Sequence, residues 1–456
     1  MATQSPKYFK KMKIIVAGAA EVGTHLAKLL AKENMDVVLM DADPEKIGQL
    51  TFMNLMTMVG KPTSITSLRE AGVQTCDLFI AVTPEESVNL HACMLAANLG
   101  ARKTVARIDD RELLTEANVE FYKRLGISNL VYPELLAGQT VASAILRPWA
   151  RQSYELCDGK LLLVGVKVYE GAPIVGQTLI EVGKRHHDHF HIAAIKREDE
   201  MLIPGGMDVV NAGDLVYFVL LPDKLDVLRH ICGKTDRHIK RVIIMGGSRI
   251  GVQTCFNLPA GYEILFIEPN RARAEQLMEL VPHAHVIMGK VADQAALEAV
   301  HIESTDALVA LGIESGSNIL ACLAAKKMGV GKTVAEVPDV EYISMATNLN
   351  IGSTVNKKLV TASAIYQLLL DADKTNAKCF SLVDAEVADL IAQEGSRITQ
   401  KPVMQLSLPK GIALGGLVRG GKSMIVTGQT QIQPGDHVVV VCMNEQIAKV
   451  EKLFVK

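Results

Sequence analysis

Two glycines and an aspartate near the start of the chain have the spacing of a phosphate-binding turn. Lys13-Ile14-Ile15-Val16-Ala17 reads as a buried strand and Gly18-Ala19-Ala20-Glu21-Val22-Gly23 as a turn. Thr24 to Glu33 has helical spacing, and Val37-Val38-Leu39-Met40-Asp41 is a second strand ending in an acid. In a strand, turn, helix, strand order, Gly18 permits the tight turn and Gly23 lets the helix pack closely on the sheet. The amides that open the helix, from Ala20 through Glu21 and Val22, then face a phosphate at the positive end of the helix dipole. Asp41 is placed to accept hydrogen bonds from ribose hydroxyls. Position 20, where backbone approaches a pyrophosphate, carries a methyl group instead of a glycine hydrogen.

The same arrangement recurs. Arg241-Val242-Ile243-Ile244-Met245 leads into Gly246-Gly247-Ser248-Arg249-Ile250-Gly251, and Ile264-Leu265-Phe266-Ile267 ends in Glu268. Here Ser248 takes the middle position, and Arg249 is a candidate phosphate ligand or a solvated side chain. Gly60 with Thr63, and Gly289 with Asp293, end the expected third strands. Thr83 follows the fourth, where it borders the crevice or caps a helix. Arg107 ends a fifth strand and can aim a guanidinium at phosphate. Its counterpart is Glu336, which repels phosphate, so the two copies are not equivalent.

These elements belong to a duplication. Gly18 recurs at Gly246, Asp77-Leu78-Phe79-Ile80-Ala81-Val82 at Asp306-Ala307-Leu308-Val309-Ala310-Leu311, and Asn89 at Asn318, a spacing of 228 to 229 positions throughout. Each copy continues into a helical stretch, sharing Ala142-Ser143-Ala144-Ile145 and Ala362-Ser363-Ala364-Ile365. A shorter strand-rich section follows, with matching turns at Gly213-Asp214 and Gly435-Asp436. The expected class is α/β: two Rossmann-type doubly wound parallel-sheet domains, each followed by a small α+β domain. The expected bounds are 12–133 and 239–356 for the Rossmann domains, 134–153 and 357–373 for the linking helices, and 154–234 and 374–456 for the small domains.

Composition narrows the function. Of 456 residues 49% are hydrophobic but only 4% aromatic, the mark of aliphatic cores in helix-covered parallel sheets. Lys plus Arg (48) nearly balance Asp plus Glu (50), which argues against nucleic acid as the partner. No apolar run reaches membrane-spanning length, and Met1 to Lys11 lacks the apolar core of a signal peptide. The eight cysteines are scattered without a Cys-x-x-Cys pair and read as buried thiols of a reducing compartment. No nucleophile elbow, phosphate-binding Walker loop or metal motif occurs. His186-His187-Asp188-His189-Phe190-His191 is a solvated loop entering a strand, or a metal site if alternation aligns its imidazoles.

On the Gly18–Gly23 turn with Asp41, on Asp77–Thr83, on Asn89 with Ala106-Arg107, and on the order of large and small sections, the chain resembles the TrkA family. That family comprises cytosolic regulators of bacterial potassium uptake built from RCK units, each a TrkA-N plus a TrkA-C section. The resemblance covers nearly the whole chain. It implies binding of NAD(H) or an adenine nucleotide (ATP or ADP) and a regulatory, non-enzymatic role. It also implies four chains assembled as an eight-unit ring on the cytoplasmic face of the membrane, beneath an integral-membrane, potassium-translocating, TrkH-like subunit. The turn roles fall on Gly18, Ala20 and Gly23, and on Gly246, Ser248 and Gly251; the ribose roles fall on Asp41 and Glu268. The alternative is an NAD-dependent oxidoreductase with duplicated cofactor domains, which the duplication favours less.

Overall fold

A computed structural model describes residues 12–455 apart from 33–34, 51–54, 187–188, 199, 290–299, 371–376, 383–384 and 444–445. Asp293 and His187 therefore lie outside the described residues.

The first section folds as a six-stranded sheet. Its strands are β1 (Lys13–Ala17), β2 (Asp36–Asp41), β3 (Leu55–Val59), β4 (Leu78–Ala81), β5 (Lys103–Arg107) and β6 (Asn129–Val131), in the order β3-β2-β1-β4-β5-β6. Every pairing is parallel. The central strands have no polar face: Ile14, Ile15, Val16, Leu78, Phe79 and Ile80 are all fully buried. Helices cover both faces of such a sheet, which explains aliphatic runs in place of alternation. The strand order reverses between β1 and β4, and their carboxyl ends bound the crevice where this architecture takes ligands.

The second copy repeats the topology. Strands β7 to β11 intervene, and the second parallel sheet consists of β12 (Arg241–Met245), β13 (Glu263–Glu268), β14 (His285–Met288), β15 (Ala307–Ala310), β16 (Lys332–Glu336) and β17 (Ser353–Val355), ordered β14-β13-β12-β15-β16-β17. The residues linked by the sequence repeat occupy the same register: Ile14 pairs with Leu78, and Val242 with Ala307.

The small sections are five-stranded antiparallel sheets. One comprises β7 (Gln152–Leu156), β8 (Leu161–Lys167), β9 (Phe190–Arg197), β10 (Glu200–Leu202) and β11 (Leu215–Leu220). The other comprises β18 (Ala377–Leu382), β19 (Ala385–Ile391), β20 (Ile412–Arg419), β21 (Lys422–Ile425) and β22 (His437–Met443). The glycine-aspartate turns are locked alike in both. Arg197 Nε and Nη2 donate to Asp214 at 2.9 and 2.8 Å, and Arg419 Nε and Nη2 to Asp436 at 2.8 and 2.6 Å. Each aspartate is 1% exposed, and the two-pronged geometry satisfies it without water. Leu161, Leu163, Ala194 and Val219 of the first small sheet share one core with Val387, Val418, Val439 and Val441 of the second. Gly415 permits this approach, since a Cβ there would lie 2.5 Å from Val219 Cγ2.

The compact units do not follow the repeat. One comprises the first Rossmann sheet, up to residue 136, with residues 357–369; the other comprises 137–356 and 370 onwards. The helix Pro133–Leu146 follows the first sheet in sequence, yet its Ala137, Val141, Ala142 and Ile145 lie in the core of the second with Val242, Ile244 and Ile250. Gly138 sits so close to that domain that a Cβ would meet Gln253 Cβ at 2.6 Å. The helix Lys357–Leu370 does the converse: its first turn is anchored by ion pairs to the first Rossmann domain.

Candidate functional site

The Gly18 turn is closed by contacts that only glycine permits. Gly18 has φ +114°, and a Cβ on it would lie 2.8 Å from Thr83 N. A Cβ on Gly23 would lie 1.9 Å from Gly18 O, against backbone that cannot yield. Asp41, 9% exposed, reaches back from the end of β2 and fixes the loop, accepting from Ala19 N at 2.6 Å on Oδ2 and from Asp43 N at 2.9 Å on Oδ1. A carboxylate has about four acceptor positions, so two bonds leave capacity for hydroxyls. The helix Glu21–Lys32 starts at Ala20, whose carbonyl accepts from Thr24 N at 2.9 Å. Ala20 has no side-chain oxygen, and the amides of Glu21 and Val22 meet no acceptor among the described residues. Unsatisfied amides at the positive end of a helix form an anion seat.

A buried asparagine ties the crevice rim together. Asn89, 1% exposed, accepts from Thr83 N at 2.8 Å and donates through Nδ2 to Thr83 O and Arg107 O at 3.0 and 3.1 Å. The ends of β4 and β5 are thereby fixed. The Thr83 hydroxyl also donates to Asn89 Oδ1 at 2.8 Å, so it serves the loop. Glu86 Oε2 accepts from the amides of Asp109 and Asp110 at 2.6 and 2.9 Å and holds the next turn.

The cations at this site are more numerous than Arg107 alone. Arg107 Nη2 lies 3.3 Å from Asp109 Oδ1 and 3.9 Å from Glu134 Oε1, while its buried Nε has no partner among the described residues. Lys357 Nζ lies 2.9 Å from the same Glu134 oxygen, and Glu134 Oε2 likewise has no partner among the described residues. Lys358, its side chain only 14% exposed, reaches Glu21 Oε2 at 3.1 Å, at the very start of the helix Glu21–Lys32. The cation beside the anion seat thus comes from the exchanged helix. No local sequence signal connects positions 21 and 358.

The second crevice has the same frame with different chemistry. Gly246 has φ +94°, and Glu268, 2% exposed, accepts from Gly247 N at 2.6 Å and Asn270 N at 2.8 Å, the same two bonds that Asp41 makes. Asn318 repeats Asn89, bonding Gly312 N, Gly312 O and Glu336 O, each at 2.8 Å. Glu336, 8% exposed, therefore stands where Arg107 stands. At the helix Arg249–Asn257, however, Ser248 is the N-cap and its hydroxyl accepts from Gly251 N at 3.4 Å. The chain itself fills part of this helix start. Ile250 is buried, Arg249 is exposed, and Gly251 faces side-chain atoms, the nearest being Phe266 Cε1 at 2.9 Å from a notional Cβ.

The remaining sequence candidates resolve as structure. His186 stacks on Phe190 with ring centroids 5.6 Å apart, and His191 lies in β9, its pKa pushed down to about 4 by burial. Among the described residues no group of three or more metal-binding side chains converges. The seven described cysteines are buried and unbridged; burial holds Cys76, Cys255 and Cys322 up at about 12. Among the described residues no helix is long and apolar enough to cross a membrane.

Comparison with known proteins agrees with this geometry. The TrkA-N domain family matches residues 14–133 and 242–357, and the TrkA-C domain family matches 163–233 and 387–455. The Trk system potassium uptake protein TrkA of Vibrio alginolyticus is 30% identical over 452 residues, spanning 97% of this chain and 98% of that protein. Among solved structures, the GsuK RCK domain superposes with a TM-score of 0.63 at 15% identity, covering 98% of this chain and 95% of that one. The GsuK channel bound to NAD superposes at 0.62 with 16% identity, covering 98% and 79%. Two parallel sheets, two small antiparallel sheets and matches along nearly the whole length lead to one assignment: the chain belongs to the TrkA family, as a tandem of TrkA-N and TrkA-C domains.

Proposed function

We propose that the first crevice binds NAD(H) or an adenine nucleotide such as ATP or ADP, and that the chain is the peripheral cytoplasmic regulatory subunit of a potassium-uptake system rather than an enzyme. The observation that carries the ligand reading is the difference between the two helix starts. The amides of Glu21 and Val22 are open at a helix start whose Glu21 side chain meets Lys358, in the copy that carries Arg107 at the end of β5, whereas Ser248 caps its own helix in the copy that carries Glu336 there. Gly18, Ala20, Glu21, Val22, Gly23, Asp41, Thr83 and Arg107 line the stronger site. Gly246, Ser248, Arg249, Ile250, Gly251 and Glu268 line a weaker or divergent one. The potassium reading is supported by likeness to the Trk system potassium uptake protein TrkA of Vibrio alginolyticus, and the nucleotide reading by the fold shared with the NAD-bound GsuK channel.

In this reading four chains form an eight-unit ring beneath an integral-membrane, TrkH-like, potassium-translocating subunit. Nucleotide shifts the ring between two arrangements by its differential affinity for them. The test is Ala20→Asp, which gives the first helix a capping carboxylate and a charge against phosphate. Calorimetry with NADH, ATP and ADP should show binding weakened by at least about tenfold, one lost charge-assisted contact. Unchanged affinity for all three ligands would dismiss the first crevice as the site.

A further inference from the structure

Away from both crevices, cations gather where the first small domain meets the second Rossmann domain. Arg151, entering β7, donates through Nη2 to Asn350 Oδ1 and lies 3.3 Å from the Tyr169 hydroxyl. Lys234 Nζ sits 4.1 Å above the Tyr169 ring. Lys326, from the helix Ser315–Lys327, donates to Asn350 O. Asn350 holds the left-handed backbone conformation, with φ +54°, and presents both its oxygens to cations. Just behind, Lys332 is 4% exposed and donates to Ala150 O, Ser353 Oγ and Pro148 O at 2.8, 2.9 and 3.3 Å. The Ser353 hydroxyl in turn donates to Arg151 O at 2.8 Å.

Arg151, Lys326 and Lys332 thus meet neutral oxygens and Lys234 an aromatic face, and none of the four pairs with a carboxylate among the described residues. The nearest acid in sequence, Asp236, is taken by Arg229 at 2.6 Å. The cations push against one another: burial, and after it the charge of Arg151, holds Lys326 and Lys332 below the ordinary lysine value. On Tyr169 burial pushes the phenol's pKa up, but the charge of Arg151, the hydrogen bonds with Asn350 and Arg151 and, last, the charge of Lys234 together lower it. An uncompensated cluster is destabilising in isolation and becomes favourable once an anion supplies the missing charge. Arg151 has five N–H donors and uses two acceptors, and Lys326 uses one of three, so donors remain for ligand oxygens. Both faces of the cluster belong to one compact unit.

We propose that Arg151, Lys234 and Lys326 form a second ligand site, separate from the Rossmann crevices, for a compact anion carrying phosphate groups, with Tyr169 and Asn350 orienting the cations. A soluble phosphate compound and a phospholipid headgroup offer the same chemistry. The 456-residue chain is titrated with inorganic pyrophosphate by calorimetry in the Ala20→Asp background, which weakens the first crevice as a competitor. It is also sedimented with phosphatidylcholine vesicles, with and without phosphatidylglycerol. Arg151→Gln combined with Lys326→Gln should weaken binding of whichever probe binds by roughly tenfold or more. Loss of pyrophosphate binding identifies a soluble ligand; loss confined to the anionic vesicles identifies a headgroup. Lys234→Gln, a half-buried side chain that donates no hydrogen bond here, should give a smaller loss in the same direction and serves if the double variant does not fold. If neither probe binds, or if binding survives these substitutions, the site does not exist. Because pyrophosphate binding is read against Arg151 and Lys326, its outcome is independent of whether nucleotide occupies the first crevice.

Discussion

Replacing Glu134 with glutamine removes the charge that holds Arg107 and Lys357 together. The carboxylate is 5% exposed and faces Lys357 Nζ at 2.9 Å and Arg107 Nη2 at 3.9 Å. At an effective dielectric near 20, each such pair carries roughly 4 kcal/mol of Coulomb energy before desolvation is subtracted. Removing one partner of a buried pair typically costs about 3–5 kcal/mol. The Lys357 side chain is one-third exposed, so water screens part of this, and about 2–3 kcal/mol is expected for Glu134→Gln. Hydrogen exchange of the β1 and β4 amides reads the opening energy of the first unit directly. It should fall by that amount, while the strands of the second parallel sheet keep their protection. Adding Lys357→Met should return about 1 kcal/mol or more, because a stranded cation is removed. A loss below about 0.5 kcal/mol, or a double variant equal to the sum of the two singles, would refute the claim that these charges act as one group.

Two further outcomes follow from the geometry. Gly23→Ala should abolish folding of the first Rossmann domain, since its Cβ would collide with Gly18 O at 1.9 Å. Gly251→Ala meets side chains at 2.9 Å and beyond and should cost about 1–3 kcal/mol, so equal melting curves for the two variants would contradict the model of the turn. Lys332 titrates near 7 in the fold, mainly through burial, against an ordinary value of 10.5. Between those values the unfolded chain holds a proton that the folded chain lacks, so stability should rise with pH across that window and be flat below it. Urea unfolding of Lys332→Met should lack this rise, and parallel pH profiles for variant and wild type would overturn it.

Much of the fold was legible because duplication doubled every signal. The 228 to 229-residue spacing linked Gly18 to Gly246 and Asn89 to Asn318, and these pairs occupy matching positions. The turn-and-acid frame was equally plain: Asp41 and Glu268 each fasten their own glycine loop as well as standing at the strand end. The serine at 248 was readable as a substitution for glycine, but its use as a helix cap depends on a rotamer that sequence does not specify. The placement of Lys357 and Lys358 was not legible at all. Their partners, Glu134 and Glu21, lie in the other half of the chain, and local periodicity carries no information about which sheet a helix chooses. The histidine run reads in sequence chiefly as a loop entering a strand; His191 lies in β9 and His186 stacks on Phe190, a ring contact that alternation does not encode.

The exchanged helices also bear on ancestry and on how the gene can be cut. A fragment ending between the repeats would carry the helix that completes the second parallel sheet and lack the one that pairs with Glu134 and Glu21. Its mate would have the reverse defect. Each half would keep a complete parallel sheet but lack the helix that packs against it or pairs with it. A duplicated ancestor that once associated as two identical chains would, after fusion, hold this interlock through a single polypeptide.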